Sequence, residues 1–125
     1  MPMDRFDLSD RLVEFAVSTC RLAAKCGGDK VSDHITAQLT RCGTAPAAHY
    51  AKAVDAESRR DFIHKMKLAL KELRESLVWL RIVEKLDLNR GQSVHSVIGE
   101  CNELTAIFVA SVATARRGLG VGNDD

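Results

Sequence analysis

The chain has 125 residues, of which 46% are hydrophobic and 28% charged. That is one domain's worth of globular composition, which excludes a disordered chain. Its 18 Lys plus Arg against 17 Asp plus Glu leave a net charge of +1, which speaks against a generally basic nucleic-acid coat but not against an uneven charge distribution.

Four segments carry a helical period, separated by Gly- or Pro-containing breaks. The first runs from about 9 to 25, with Leu8, Leu12, Phe15, Ala16, Cys20, Leu22 and Ala23 as its apolar positions. Cys26-Gly27-Gly28 ends it, because glycine readily takes the left-handed cap conformation. The second runs from about 32 to 54, along the stripe Val31, Ile35, Leu39, Cys42, Pro46, Tyr50 and Ala53. Its middle, from Cys42 to Ala48, is almost all small residues, which would let another backbone approach closely. Pro46 removes a backbone donor and crowds the carbonyl of Cys42, so a kink or a break is expected there.

The third segment, from about 59 to 86, opens on Ser58 and Asp61, which resemble a capping box. Phe62, Met66, Ala69, Leu73, Leu77 and Leu80 repeat at steps of three and four, with Ile63 and Leu70 widening the stripe. Asn89-Arg90-Gly91 is the turn that follows. The fourth runs from about 92 to 117 on Val94, Ile98, Cys101, Leu104 or Thr105, Phe108, Val112 and Ala115. Arg116 and Arg117 suit the negative end of its dipole, and residues 118–125 read as a loose tail. The expected architecture is all-α: a single up-down-up-down four-helix bundle over residues 1–125. Only 5% aromatic residues argue against an all-β alternative.

The longest apolar run, Ala106 to Val112, is far too short to span a bilayer, and the acidic N-terminus has no signal-like apolar region. The four cysteines form no Cys-x-x-Cys pair, and a reduced, cytoplasmic setting is expected. His34, His49, His64 and His95 are spread over three helices with no metal-ligand spacing. No nucleophile motif or Glu-x-x-His pair is present, so no enzyme, cofactor or metal is expected.

The informative feature is a basic stripe. Arg60, His64, Lys67, Lys71, Arg74, Arg81 and Lys85 fall along one side of the third helix, with Val78 as the only interruption. From Arg59 to Lys85 there are eight Lys or Arg against four Asp or Glu, an excess of +4, so the remainder of the chain carries −3. Such a stripe could track RNA or DNA phosphates with little sequence preference. No aromatic residues interleave with it, so base stacking is not supported. The plainer alternative is a solvated face partly neutralised by Lys71 with Glu75 or Arg81 with Glu84.

The stretch from Gln38 to Leu80 resembles the bacterial four-helix bundle proteins often encoded in intervening sequences of the large ribosomal RNA gene. The matching positions are Gln38, Arg41, Gly43, Thr44, Tyr50, Ala53, Asp61, Phe62, Ala69, Leu70, Leu73, Glu75 and Trp79-Leu80. His49 and Lys52 replace the family's Asn and Glu, and Ala45-Pro46 replaces a Ser-Ile pair. The resemblance implies a non-enzymatic bundle that assembles as a ring, commonly a homopentamer. One related branch, the accessory variability determinants of diversity-generating retroelements, binds nucleic acid and a reverse transcriptase. On this basis Arg41 and Glu75 are expected either to pair at a helix or subunit junction or to stand as two separately solvated charges. Trp79 is expected either to anchor an interface or to pack at the edge of the core. The expected function is a self-assembling accessory or scaffold protein that binds nucleic-acid backbone through the third helix. The alternative is an oligomeric protein-interaction module.

Overall fold

The computed structural model describes residues 5–91 and 93–120, with side chains from Leu8 onward. It contains four helices: α1 (Arg5–Cys26), α2 (Lys30–Val54), α3 (Arg59–Lys85) and α4 (His95–Leu119). The described residues contain no strand, and the helices form the expected four-helix bundle. α2 packs along α1 and α3, and α3 along α4. α1 and α4 meet more loosely. Arg11 bridges them, with its guanidinium 2.6 Å from Glu100 and 3.1 Å from Glu103.

The apolar stripes converge as the periodicity requires. Leu12, Phe15, Leu39, Met66, Leu73, Leu80, Leu104 and Phe108 are fully buried. Each such side chain contributes about 1.5–3 kcal/mol by leaving water. Tyr50 meets Phe108 edge to face, with ring centroids 5.9 Å apart. On α3, Phe62 and Leu77 are only half-buried and pack against the outside of this core.

The helix ends follow local chemistry. Asp29 caps α2 by accepting from the Ser32 N–H at 2.8 Å. Ser58 caps α3 by accepting from the Asp61 N–H at 3.0 Å. Asp61 returns the contact to the Glu57 N–H at 3.4 Å, one residue outside the usual capping-box partner.

Several expected boundaries and positions are corrected. α1 already begins at Arg5, and its first turn is held by the buried Leu8. In the middle of α1, Thr19 rather than Cys20 faces the core. Val31 is 63% exposed, because the buried Ser32 takes the corresponding place at the start of α2. α2 runs through Pro46 without a break. The missing hydrogen bond is offset by burial on both sides of it, where Cys42, Gly43, Tyr50 and Ala53 are all inside. α4 starts at His95, not 92, with Val94 as a cap that makes no side-chain hydrogen bond. It continues through Gly118 to Leu119, and Gly120, at φ +72°, supplies the left-handed cap. The expected loose tail is therefore helical at 118–119, and residues 121–125 lie outside the described part.

Two features bring loops and helices together in ways that periodicity does not announce. Gly43 of α2 faces Thr19 of α1 so closely that a Cβ there would lie 2.5 Å from the Thr19 Cγ2. At the end of the bundle where α1 passes to α2, Arg90 donates to the Gly27 carbonyl at 3.0 Å and ties the α3–α4 turn to the α1–α2 turn. Arg90 itself adopts φ +48°.

α4 is long and apolar enough to cross a membrane by length and composition, which the short apolar run from Ala106 to Val112, interrupted by Ser111, did not suggest. In the bundle, its Cys101, Leu104, Phe108 and Val112 are core residues.

Candidate nucleic-acid interface

The stripe on α3 lies on the side of the helix away from the core. Ile63, Met66, Leu73, Leu80 and Val83 are buried, while Arg60, His64, Lys71, Arg74, Arg81 and Lys85 are exposed. Lys67 is half-buried. The steps of three and four carry this line straight along the rod from Arg60 to Lys85, roughly 37 Å. Val78, at the one apolar position in the line, is 52% exposed.

The electrostatic environment of the stripe is set by where the acidic residues of α3 turn. Asp61 binds Lys65 one turn later, with Nζ 2.7 Å from Oδ2. The Lys65 hydrogen bond holds the Asp61 carboxyl below its ordinary range. Glu72 faces Arg41 of α2 at 3.4 Å, and Glu75 pairs with the same guanidinium. Glu84 lies 3.8 Å from the His95 ring of α4. Asp61, Glu72 and Glu75 thus pair with cations outside the stripe, and Glu84 lies near a histidine of α4. The pairings expected to neutralise the stripe, Lys71 with Glu75 and Arg81 with Glu84, are not formed; Arg41 of α2 takes Glu75 instead.

The three residues expected at a junction do come together. Arg41 on α2 and Glu75 on α3 form an ion pair between helices of one chain. Trp79 is half-buried beside them, and its indole Nε1–H donates to Glu75 at 3.0 Å. Arg41 also donates to Gln38, at 3.1 Å from Nη2 and 3.3 Å from Nε. His34 meets Trp79 edge-on, with centroids 5.9 Å apart. Sequence reasoning missed His34, although it lies one turn before Gln38 on the same side of α2. The three-and-four spacing of His34, Gln38 and Arg41, matched by Glu72, Glu75 and Trp79 on α3, is the signal that could have found it.

The remaining chemistry-bearing residues stay apart. No group of three or more His, Cys, Asp or Glu among the described residues could hold a metal ion. The cysteines are free thiols, with Cys26, Cys42 and Cys101 buried and Cys20 half-exposed. Burial pushes the Cys101 thiol up to about 12, and its Sγ donates to the Leu73 carbonyl at 3.2 Å. Such a thiol is a packing group and not a nucleophile.

Comparison with known proteins fits this architecture. The family described as 23S rRNA-intervening sequence protein matches residues 5–110. A crystal structure of a protein with unknown function from the S23 ribosomal protein family of Bacteroides thetaiotaomicron superposes with a TM-score of 0.80. It is 26% identical, and the match covers 88% of this chain and 98% of that one. Among curated proteins nothing matches. A four-helix bundle with this helix order and a match over most of its length identifies the chain as a member of the 23S rRNA-intervening sequence protein family.

Proposed function

We propose that the chain is a non-enzymatic, self-associating accessory protein that binds the sugar-phosphate backbone of RNA or DNA along α3. The supporting observation is the separation of charge on that helix. Three of its four carboxylates are engaged by Lys65 and Arg41, while Arg60, Lys71, Arg74, Arg81 and Lys85 lie exposed in one line. Cations arranged in this way release counterions on binding phosphates and discriminate poorly between sequences. The self-association is taken to be the ring of five that the resemblance implies. The proposed setting is the cytoplasm, with no cofactor. A reverse transcriptase would be the protein partner if the chain belongs to the retroelement branch.

Titration of a random single-stranded RNA and a random single-stranded DNA by fluorescence anisotropy tests this. Binding should weaken steeply with salt, with a log–log slope of about −0.7 per phosphate contacted. No binding at low salt would overturn it. The alternative, a module that binds only protein, is favoured by one feature. Val78 and Leu86, 52% and 53% exposed, form an apolar edge beside Arg81 and Lys85. A phosphate-tracking surface has no need of such an edge.

A further inference from the structure

That edge belongs to a groove. Val78, Arg81, Ile82, Lys85 and Leu86 enclose a shallow space of about 420 Å³ on the C-terminal third of α3. Its floor is apolar and its rim carries two cations one helical turn apart. Neither cation is in an ion pair with a described residue. A contiguous apolar surface rimmed by polar groups marks an interaction site.

A surface with the complementary pattern exists on the same chain. On the outward side of α1, Asp10 and Glu14 lie one turn apart and flank Val13, which is 49% exposed. Val17, half-buried, continues the apolar line. Asp10 and Glu14 are likewise in no ion pair with a described residue. The two patches are opposite in sign and alike in spacing and in the way apolar and charged positions alternate. They sit on the outward faces of α1 and α3, which do not pack along each other, so one copy cannot satisfy itself.

We propose that the α3 groove of one copy receives the outward face of α1 from a second copy. Asp10 and Glu14 then meet Arg81 and Lys85, and Val13 packs among Val78, Ile82 and Leu86. This contact rests on the self-association read above and gives it a defined surface. It joins two different patches, so it is head-to-tail and propagates from copy to copy until a ring closes. It also divides the basic stripe. Arg81 and Lys85 are committed to the neighbouring subunit, and Arg60, His64, Lys67, Lys71 and Arg74 remain for phosphates.

Charge exchange tests the contact, with nuclease-treated full-length protein followed by multi-angle light scattering. The wild type should be a uniform oligomer. Arg81→Glu with Lys85→Glu, and separately Asp10→Lys with Glu14→Lys, should each raise the half-assembly concentration by roughly tenfold or more, because like charges then face each other. The fourfold variant should reassemble, since the signs match again. Far-UV circular dichroism confirms that each variant is folded, and Val13→Asp provides a second, apolar test of the same surface. A monomeric wild type would overturn the contact. So would an α3 reversal that dissociates the assembly while the α1 reversal leaves it intact, because the groove would then hold some other partner. A fourfold variant that stays dissociated would also overturn it. Loss of RNA binding alone leaves these readings unchanged, so failure of the nucleic-acid reading and failure of this one are distinguishable.

Discussion

Two edges of α3 carry opposite electrostatic solutions. The edge toward α2 is compensated: Glu72 and Glu75 share Arg41, and Glu75 also accepts from Trp79. The outward edge carries Lys71 and Arg74, the immediate neighbours of those two acids, with no carboxylate turned toward them. Both edges lie within one and the same pair of helical turns. The charge of a helix face is therefore decided by what the adjacent helices take from it. Arg41 leaves the stripe basic by engaging the acids that would otherwise neutralise it.

The largest expected effect comes from inverting the outward edge. Arg60→Glu, Lys71→Glu and Arg74→Glu together should lower RNA affinity by roughly 100-fold or more at low salt and flatten its salt dependence. The melting temperature should barely move, since these side chains are exposed. An unchanged affinity would show that the stripe does not contact phosphate.

A smaller effect is expected from removing the compensation. Arg41→Ala leaves Glu72 and Glu75 of α3 without their cationic partner and should weaken RNA binding by roughly three- to tenfold through their field alone. Its cost in stability should stay below about 1 kcal/mol, because the Arg41 side chain is 50% exposed. If affinity fell as far as in the triple reversal, Arg41 would be a direct contact and not a shield.

Smaller again is the change within the compensated edge itself. Glu75→Gln keeps the shape and an acceptor for Trp79 but removes the charge. Trp79 is the chain's single tryptophan, so its fluorescence reports this site alone. A changed emission with a stability loss of about 0.5–1 kcal/mol is the expected result, and an unchanged emission would separate the indole from Glu75.

The buried seam between α3 and α4, where the Cys101 thiol donates to the Leu73 carbonyl, shows its effect only in alkali. Burial raises the Cys101 thiol from 9.0 to about 12, so the unfolded chain loses this proton first as pH rises. The stabilisation is complete below pH 9 and is lost as pH climbs toward 12. Urea midpoints measured from pH 8 to 11 should fall more steeply for the wild type than for Cys101→Ala.

These contrasts also mark how far the amino-acid sequence could be read. The faces of α3 follow directly from steps of three and four, as does the cap at Ser58 and the end of α1 at Cys26. Partners across helices do not. Periodicity places Glu75 beside Lys71 on one helix, and only packing brings Arg41, 34 residues away, within reach. The resemblance named Arg41 and Glu75 as a pair, but neither Glu72 nor His34 as its neighbours. Pro46 shows the same limit, since of the kink or break expected there the break does not occur. Its local cost is real, and burial that only the assembled bundle supplies outweighs it. Val31 fits the apolar pattern of α2, yet Ser32 occupies the core position.

The notch formed by Gly43 and Thr19 has a consequence at a larger scale. It keys α1 to α2 at a single height, since sliding by one turn, about 5.4 Å, would drive a larger side chain into the place that only glycine leaves open. The outward face of α1 is thereby held at a fixed level relative to α3. In a head-to-tail assembly, that level sets the pitch between successive copies. A pitch of zero closes a ring, and any other value winds an open filament. If the proposed head-to-tail contact forms, one missing methyl group inside a single subunit governs the symmetry of the assembly.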